Sequence, residues 1–158
     1  MSANRASRHA LLAIYSNGCR MGRILAIDVG EKRVGLAVTD DLQIIASPLD
    51  VLPNNPELFT KLKNICIEYK VAKLVIGMPY SKKHKEASAM AESFTENIKQ
   101  EFADGMGLEI DFQDERNSSV YAETWMKTEG YSYKRIRESS DKYAALKILE
   151  DYITRPKE

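Results

Sequence analysis

Three positions in the sequence carry acidic residues that folding could bring together in one site. Asp28 lies near the end of the most apolar stretch of the chain, residues 24–29, where an unpaired buried carboxylate would be costly. Asp114 and Glu115 end another apolar stretch, and Asp141 lies on the apolar face of a predicted helix. Carboxylates that converge would form an all-oxygen site, which is what Mg²⁺ or Mn²⁺ needs.

Each of these acids also has an ordinary structural explanation. Asp28 can cap a chain turn, and the acids after the later strand can pair with Arg116. Asp141 follows two serines, and an acid in the first turn of a helix is favourable. A common site has the advantage that it accounts for all three positions at once.

The remaining residues with reactive side chains exclude other chemistries. The two cysteines, Cys19 and Cys66, and the two histidines, His9 and His84, are isolated from one another in the sequence. They match neither a CxxC pair nor a zinc-ligand spacing, and a Ser-His-Asp triad is disfavoured. Any metal must therefore be held by carboxylates, and a reducing compartment, the cytoplasm, is expected.

The length and composition predict one globular domain. The chain has 158 residues, of which 44% are hydrophobic, and 23 basic residues balance 23 acidic ones. No apolar run approaches the roughly 18 residues that a membrane span requires. Residues 1–20 contain three arginines and no acid, so we expect a flexible N-terminal extension followed by a single domain over residues 21–158.

The apolar pattern predicts an α/β fold. Strands are predicted over residues 24–29, 33–39, 43–51, 73–77 and 108–114, and helices over 56–69, 84–102, 118–129 and 140–153. The short early connections require three antiparallel strands, with Pro48 on an edge strand, whereas the later helical crossovers add two parallel strands. The result is a five-stranded mixed sheet with helices on both faces. Asp28 and Glu115 then lie at carboxyl ends of parallel strands, where ligands bind in such sheets.

Four groups of motifs occur along this pattern, and together they resemble the YqgF family, also called RuvX. They are ILAIDVG with RVGLA at 24–37, VIGMP at 75–79, DER at 114–116, and DKYAA leading to ILEDY at 141–152. The resemblance covers residues 21 to about 153. It implies an RNase H-like fold and the activity described for that family, namely resolution of Holliday junctions or processing of the 5′ end of precursor 16S rRNA.

The resemblance also implies roles for individual residues. Asp28, Glu115 and Asp141 match the family's acidic residues and would be both catalytic and metal-binding, with Mg²⁺ or Mn²⁺ as the cofactor. Two such ions stabilise the attacking water and the leaving oxygen of a phosphodiester. Arg116 would contact the phosphate or orient Glu115. Asp114 competes with Glu115 as the ligand, because strand alternation does not decide between adjacent acids.

The chain departs from the family pattern after Pro79. An Asn and an Asp-Gly turn usually follow there, whereas this chain has a basic segment with Lys82, Lys83 and Lys85. These lysines are predicted to bind substrate phosphates, and the alternative is an ordinary solvated charge run. The departure leaves the handling of substrate near the fourth strand open.

A second basic segment precedes the predicted last helix. Lys134 and Arg135 are predicted to bind substrate, with the same alternative of simple solvation. Tyr80, Tyr131 and Tyr133 are candidates for stacking on unpaired bases, although loop tyrosines are more often packing residues.

The sequence therefore favours a metal-dependent nuclease that acts on structured nucleic acid, with precursor rRNA or branched DNA as partner and ribosomal precursor particles as its setting. One alternative is a non-catalytic RNA-binding module of ribosome assembly. A second is an actin-like ATP-binding domain, which the length disfavours because such proteins bind ATP between two domains. The sequence leaves open the choice between RNA and DNA, endo- or exonucleolytic action, and the oligomeric state.

Overall fold

The sheet has the predicted topology. The computed structural model describes residues 22–79, 85–102, 107–115 and 118–156. Its strands are β1 Arg23–Val29, β2 Arg33–Thr39, β3 Ala46–Pro53, β4 Val71–Met78 and β5 Glu109–Asp114. Their order is β3-β2-β1-β4-β5, with antiparallel pairing from β3 to β1 and parallel pairing from β1 to β5. The mixed sheet is confirmed, and Pro48 does lie on an edge strand.

Helices cover both faces of the sheet, as predicted. They are α1 Leu58–Glu68, α2 Lys85–Glu101, α3 Ser118–Thr128 and α4 Tyr133–Thr154. The larger core, with Leu25 and Ile27 of β1, packs against α1 and α2, and the smaller core, with Ile24 and Ala26, packs against α4. α3 packs on α4. Alternation along β1 therefore turns Asp28 towards α4.

Some predictions about the whole chain remain untested. Residues 1–20 lie outside the described residues, so the division into an extension and a domain over 21–158 stays a prediction. Within the part of the chain that the structure describes, no helix is long and apolar enough to cross a membrane.

The predicted start of the last helix at residue 140 is wrong. α4 begins at Tyr133, because Ser132 is extended and its hydroxyl accepts a hydrogen bond from the Arg135 N–H at 3.3 Å. Asp141 thus lies about two turns inside the helix, and its explanation as a first-turn acid fails. Lys134 and Arg135 lie within the first turn of α4, not in a loop before it.

The predicted start of the third strand at residue 43 is also wrong. The Asp40 carboxylate accepts hydrogen bonds from the N–H groups of Ile44 and Ile45, at 2.8 and 3.0 Å. Gln43 has a positive φ of 59°. These features make a turn, so β3 begins at Ala46.

Candidate active site

Asp28 is buried at the carboxyl end of β1, with 7% of its surface exposed. The turn that follows is closed by the main chain, because the Gly30 N–H donates to the Arg33 carbonyl at 2.9 Å. The Asp28 carboxylate is therefore not required to close this turn. Its burial calls for another explanation.

Glu115 comes to Asp28 from the end of β5. Its N–H donates to the Met78 carbonyl at 2.8 Å, which holds the residue beside the end of β4. The Glu115 Oε2 atom lies 3.0 Å from the position that a Cβ on Gly77 would take. The carboxyl group thus passes over Gly77 and forms a hydrogen bond with the Asp28 carboxyl. Of the two adjacent acids, Glu115 makes this contact.

Asp141 comes to the same place on α4. Gly35 of β2 is the register partner of Asp28, and a Cβ on Gly35 would clash with the main chain of Asp141. α4 therefore crosses the sheet beside Asp28. The Asp141 Oδ2 atom lies 3.1 Å from Nε of Arg33, yet it is buried and has no hydrogen-bond partner. The two groups form an ion pair whose geometry is too poor for a hydrogen bond.

Arg33, Gly35 and Gly77 are contributors to this site that the sequence analysis did not assign. The two glycines lie on the strands flanking β1 and leave room for Asp141 and Glu115. The sequence contained a signal for the two glycines, because a glycine inside a buried strand often marks a close approach of another chain segment. The pairing of Arg33 with Asp141 had no comparable signal, because it depends on where α4 crosses β2.

The electrostatics of the site disfavour three negative charges in the metal-free protein. Burial, followed by the charge and hydrogen bond of Glu115 and the charge of Asp141, raises the pKa of Asp28 well above its usual range. Burial also raises the pKa of Asp141, with the Glu123 charge adding to it, although the Arg33 guanidinium acts in the opposite direction. A bound cation would favour the ionised form of both Asp28 and Asp141 and so would lower both pKa values.

The donor set suits a hard divalent cation, since it consists of carboxylate oxygens only. The arrangement is not a closed cage, however. Among the described residues no group of three His, Cys, Asp or Glu side chains is placed to hold an ion as it stands. The Asp28 carboxyl is hydrogen-bonded to that of Glu115, and the Asp141 carboxylate is ion-paired with Arg33. Ion binding would require these carboxyl groups to exchange their present partners for the metal.

The predicted substrate-binding residues are described only in part. Arg116, Lys82 and Lys83 lie outside the described residues, and the side chain of Lys85, at the start of α2, is not described. Lys134 and Arg135 are exposed on α4, about two turns from Asp141. Their contacts and those of Tyr133 are local, whereas Tyr131 also packs against Trp125 and Tyr143. Lys134 is 4.0 Å from Glu138, Arg135 lies over the Tyr131 ring, and Tyr133 lies under Arg137.

Known proteins resemble this chain in both sequence and fold. A protein of Sulfurihydrogenibium sp. is 36% identical over 138 residues, which cover 85% of this chain and 92% of that protein. One of Amoebophilus asiaticus is 38% identical over 138 residues, covering 85% and 95%. Both carry the name "Putative pre-16S rRNA nuclease".

The solved structure of Thermus thermophilus RuvC in complex with a Holliday junction substrate superposes with a TM-score of 0.53. It is 13% identical and covers 84% of this chain and 93% of that one. This likeness shows the fold alone, and it confirms the RNase H-like class.

The family model described as "RuvX: Holliday junction resolvase" matches residues 22–155, nearly all of the described chain. The protein therefore belongs to the RuvX family of nucleases.

Proposed function

We propose that this nuclease depends on Mg²⁺ or Mn²⁺ and that Asp28, Glu115 and Asp141 hold the ion. The observation that carries the proposal is the hydrogen-bonded contact between two carboxyl groups, Asp28 and Glu115, one of them buried, with Asp141 on the helix alongside. A protein gains no stability from such a cluster, and paired acids of this kind are typical of catalytic sites. When bound, the cation activates water and neutralises charge on a phosphodiester.

The chain's own residues supply position and charge. Asp28 is fixed by β1 at the centre of the sheet, and Gly77 leaves room for Glu115 to reach it. Arg33 is half-exposed beside Asp141, so its guanidinium can also meet a phosphate at the edge of the site. Arg116 and the lysines Lys82, Lys83 and Lys85 are proposed to bind the substrate backbone.

The proposed substrates are a 5′-extended precursor of 16S rRNA or branched DNA. The names of the relatives favour the first, and the description of the family favours the second. We propose that the protein acts in the cytoplasm, in the first case on ribosomal precursor particles. Membership of the RuvX family argues against the actin-like ATP-binding alternative.

The test is a cleavage assay with labelled junction DNA, a 5′-extended rRNA fragment and a linear control, each with Mn²⁺ or EDTA. Asp28→Asn should lower cleavage by at least about a hundredfold while nucleic-acid binding persists, because the change keeps the shape and removes a ligand charge. The matched control is Asp41→Asn in the exposed turn after β2, which should cleave normally. Equal activity of Asp28→Asn and wild type would refute the assignment. Binding without cleavage by the wild type would favour the non-catalytic RNA-binding module.

A further inference from the structure

The outer surface of α3 and α4 carries an aromatic cluster formed by Trp125, Tyr131 and Tyr143. Trp125 lies 5.1 Å from Tyr143 and 5.8 Å from Tyr131, measured between ring centroids, and the two tyrosine rings meet edge-on at 6.2 Å. Trp125 is 37% exposed and Tyr121, one turn earlier on α3, is 52% exposed. Between the two helices the rings of Tyr121, Trp125 and Tyr143 border a cleft of about 150 Å³. Tyr and Trp are enriched at binding surfaces, so this cluster is a candidate for one.

Cations frame one end of the aromatic cluster. The Arg135 guanidinium lies 4.9 Å from the centre of the Tyr131 ring, and the Lys142 ammonium 5.8 Å from that of Tyr143. The first ten residues of α4 contain four bases and two acids, and the positive end of the helix dipole adds to this charge. The cleft itself is lined by Lys147 and Glu150, and Lys147 is already paired with Asp151 at 2.6 Å. An anion is therefore favoured outside the cleft, on the side of the aromatic cluster where Arg135 and Lys142 lie.

We propose that the aromatic cluster binds unpaired nucleotides of the substrate, with bases stacked on Trp125 and Tyr143 and phosphates on Arg135 and Lys142. Trp125 and Tyr143 both line the cleft. Accessible rings next to cations are the combination that binds single strands without reading their sequence. An apolar protein partner would not require these cations. The proposal rests on the proposed function, and it specifies the substrate class: nucleic acid with a single-stranded segment next to the cleaved bond.

The placement of the cluster relative to Asp141 supports this assignment. Arg135, Lys142 and Tyr143 all lie within two turns of Asp141 on α4, although on other sides of the helix. A strand that leaves the carboxylates and continues around this part of α4 would reach the aromatic cluster. The internal bases of a duplex are stacked on each other, so they cannot stack on the rings.

Trp125 is the only tryptophan in the chain, so its fluorescence reports on this surface directly. The experiment titrates the full-length protein in EDTA with a short oligouridylate and with a blunt RNA duplex of equal length. We expect the single strand to quench Trp125 and to bind at least about tenfold more tightly than the duplex. Arg135→Gln, an exposed position, should weaken single-strand binding about fivefold and reduce its salt dependence. Tyr143→Leu should weaken it about tenfold.

The matched control is Arg23→Gln. Arg23 also lies over a tyrosine ring, 5.6 Å from the centre of Tyr69, but it lies at the amino end of β1, opposite the carboxylates. The proposal would be overturned if the duplex quenched Trp125 as strongly as the single strand does. It would also be overturned if Arg135→Gln and Tyr143→Leu bound the single strand as tightly as Arg23→Gln. No response to either RNA would also overturn it and favour a protein partner. Cleavage without a Trp125 response would reject this inference alone, whereas quenching without cleavage would reject only the proposed function.

Discussion

At the level of single residues, the candidate site is a source of instability in the metal-free protein. Burial and Glu115 raise the pKa of Asp28, so the folded protein holds a proton that the unfolded chain has already released. Stability must then fall as pH rises from the ordinary carboxyl pKa through the raised value. The native geometry thus favours either a proton or a cation at this position.

Asp28→Asn should remove this pH dependence. In EDTA, wild type is expected to lose stability between about pH 5 and about pH 8, and the variant should lose less, with a difference of about 1–3 kcal/mol at the higher pH. Thermal unfolding at both pH values, with Asp41→Asn as control, measures it. If Asp28→Asn and wild type lost equal amounts of stability between the two pH values, the pKa of Asp28 would not be raised by folding.

Arg33→Gln should have opposite effects on stability and on metal binding. Without metal, Asp141 keeps a buried oxygen and loses its cationic neighbour, which should cost about 1 kcal/mol because Arg33 is half-exposed. With the guanidinium gone, Mn²⁺ should bind a few-fold more tightly, since a competing positive charge is removed. Unfolding in EDTA and calorimetric titration with Mn²⁺ test the two effects. Lys32→Gln, an exposed neighbour of equal charge, is the control, and identical results for the two variants would contradict the role of Arg33.

At the level of elements, two glycines decide how closely the site can be assembled, and they should respond differently to alanine. A Cβ on Gly35 would meet the main chain of α4, whereas one on Gly77 would meet the ends of two side chains, Ile148 at 2.6 Å and Glu115 at 3.0 Å. Gly35→Ala should cost about 3 kcal/mol because the helix must move. Gly77→Ala should cost about 1 kcal/mol but should displace Glu115 and weaken Mn²⁺ binding. Urea unfolding and Mn²⁺ titration of both variants would separate the effects, and equal destabilisation would contradict this picture.

The elements also show what the sequence could and could not predict. Strands with continuous apolar runs, such as β1 and β4, were predicted because burial on both faces leaves a clear signal. The predicted start of α4 is wrong because Ser132 and Ser139–Ser140 are both good helix caps. Only one buried apolar residue, Ile136, lies in the first two turns of α4. The packing of α4 on α3 is a tertiary contact, which local pattern does not reveal.

For the site, the sequence predicted that acids from the first strand, the fifth strand and the last helix come together. It did not decide between Asp114 and Glu115 from the strand pattern, and it did not show what surrounds these acids. The convergence of Asp28 with Glu115 followed from the parallel pairing of β1, β4 and β5. The ion pair between Arg33 and Asp141 depends on the crossing of α4 over β2, and the aromatic cluster depends on packing between α3 and α4. Such contacts arise from tertiary structure and leave no periodic trace in the sequence. The roles of Lys82, Lys83 and Arg116 stay predictions.

At the level of the whole molecule, β1, β5 and α4 each contribute one carboxylate, so the proposed metal site exists only in the folded chain. Mn²⁺ should therefore stabilise the protein by mass action, by about 2.7 kcal/mol at a hundred times its dissociation constant. For a chain of this size that corresponds to a rise in Tm of roughly 5–10 °C.

The same measurement identifies the ligands. Asp28→Asn and Glu115→Gln should abolish the rise in Tm, whereas Asp114→Asn, the adjacent acid, should keep it, because Glu115 rather than Asp114 contacts Asp28. If Mn²⁺ no longer raised the Tm of Asp114→Asn but still raised that of Glu115→Gln, then Asp114 would be the metal ligand in place of Glu115. If wild type gains no stability from Mn²⁺ or Mg²⁺, the carboxylates do not form a metal site and the metal-dependent mechanism is wrong. Scanning calorimetry in EDTA and in excess Mn²⁺ distinguishes these outcomes without any assay of cleavage.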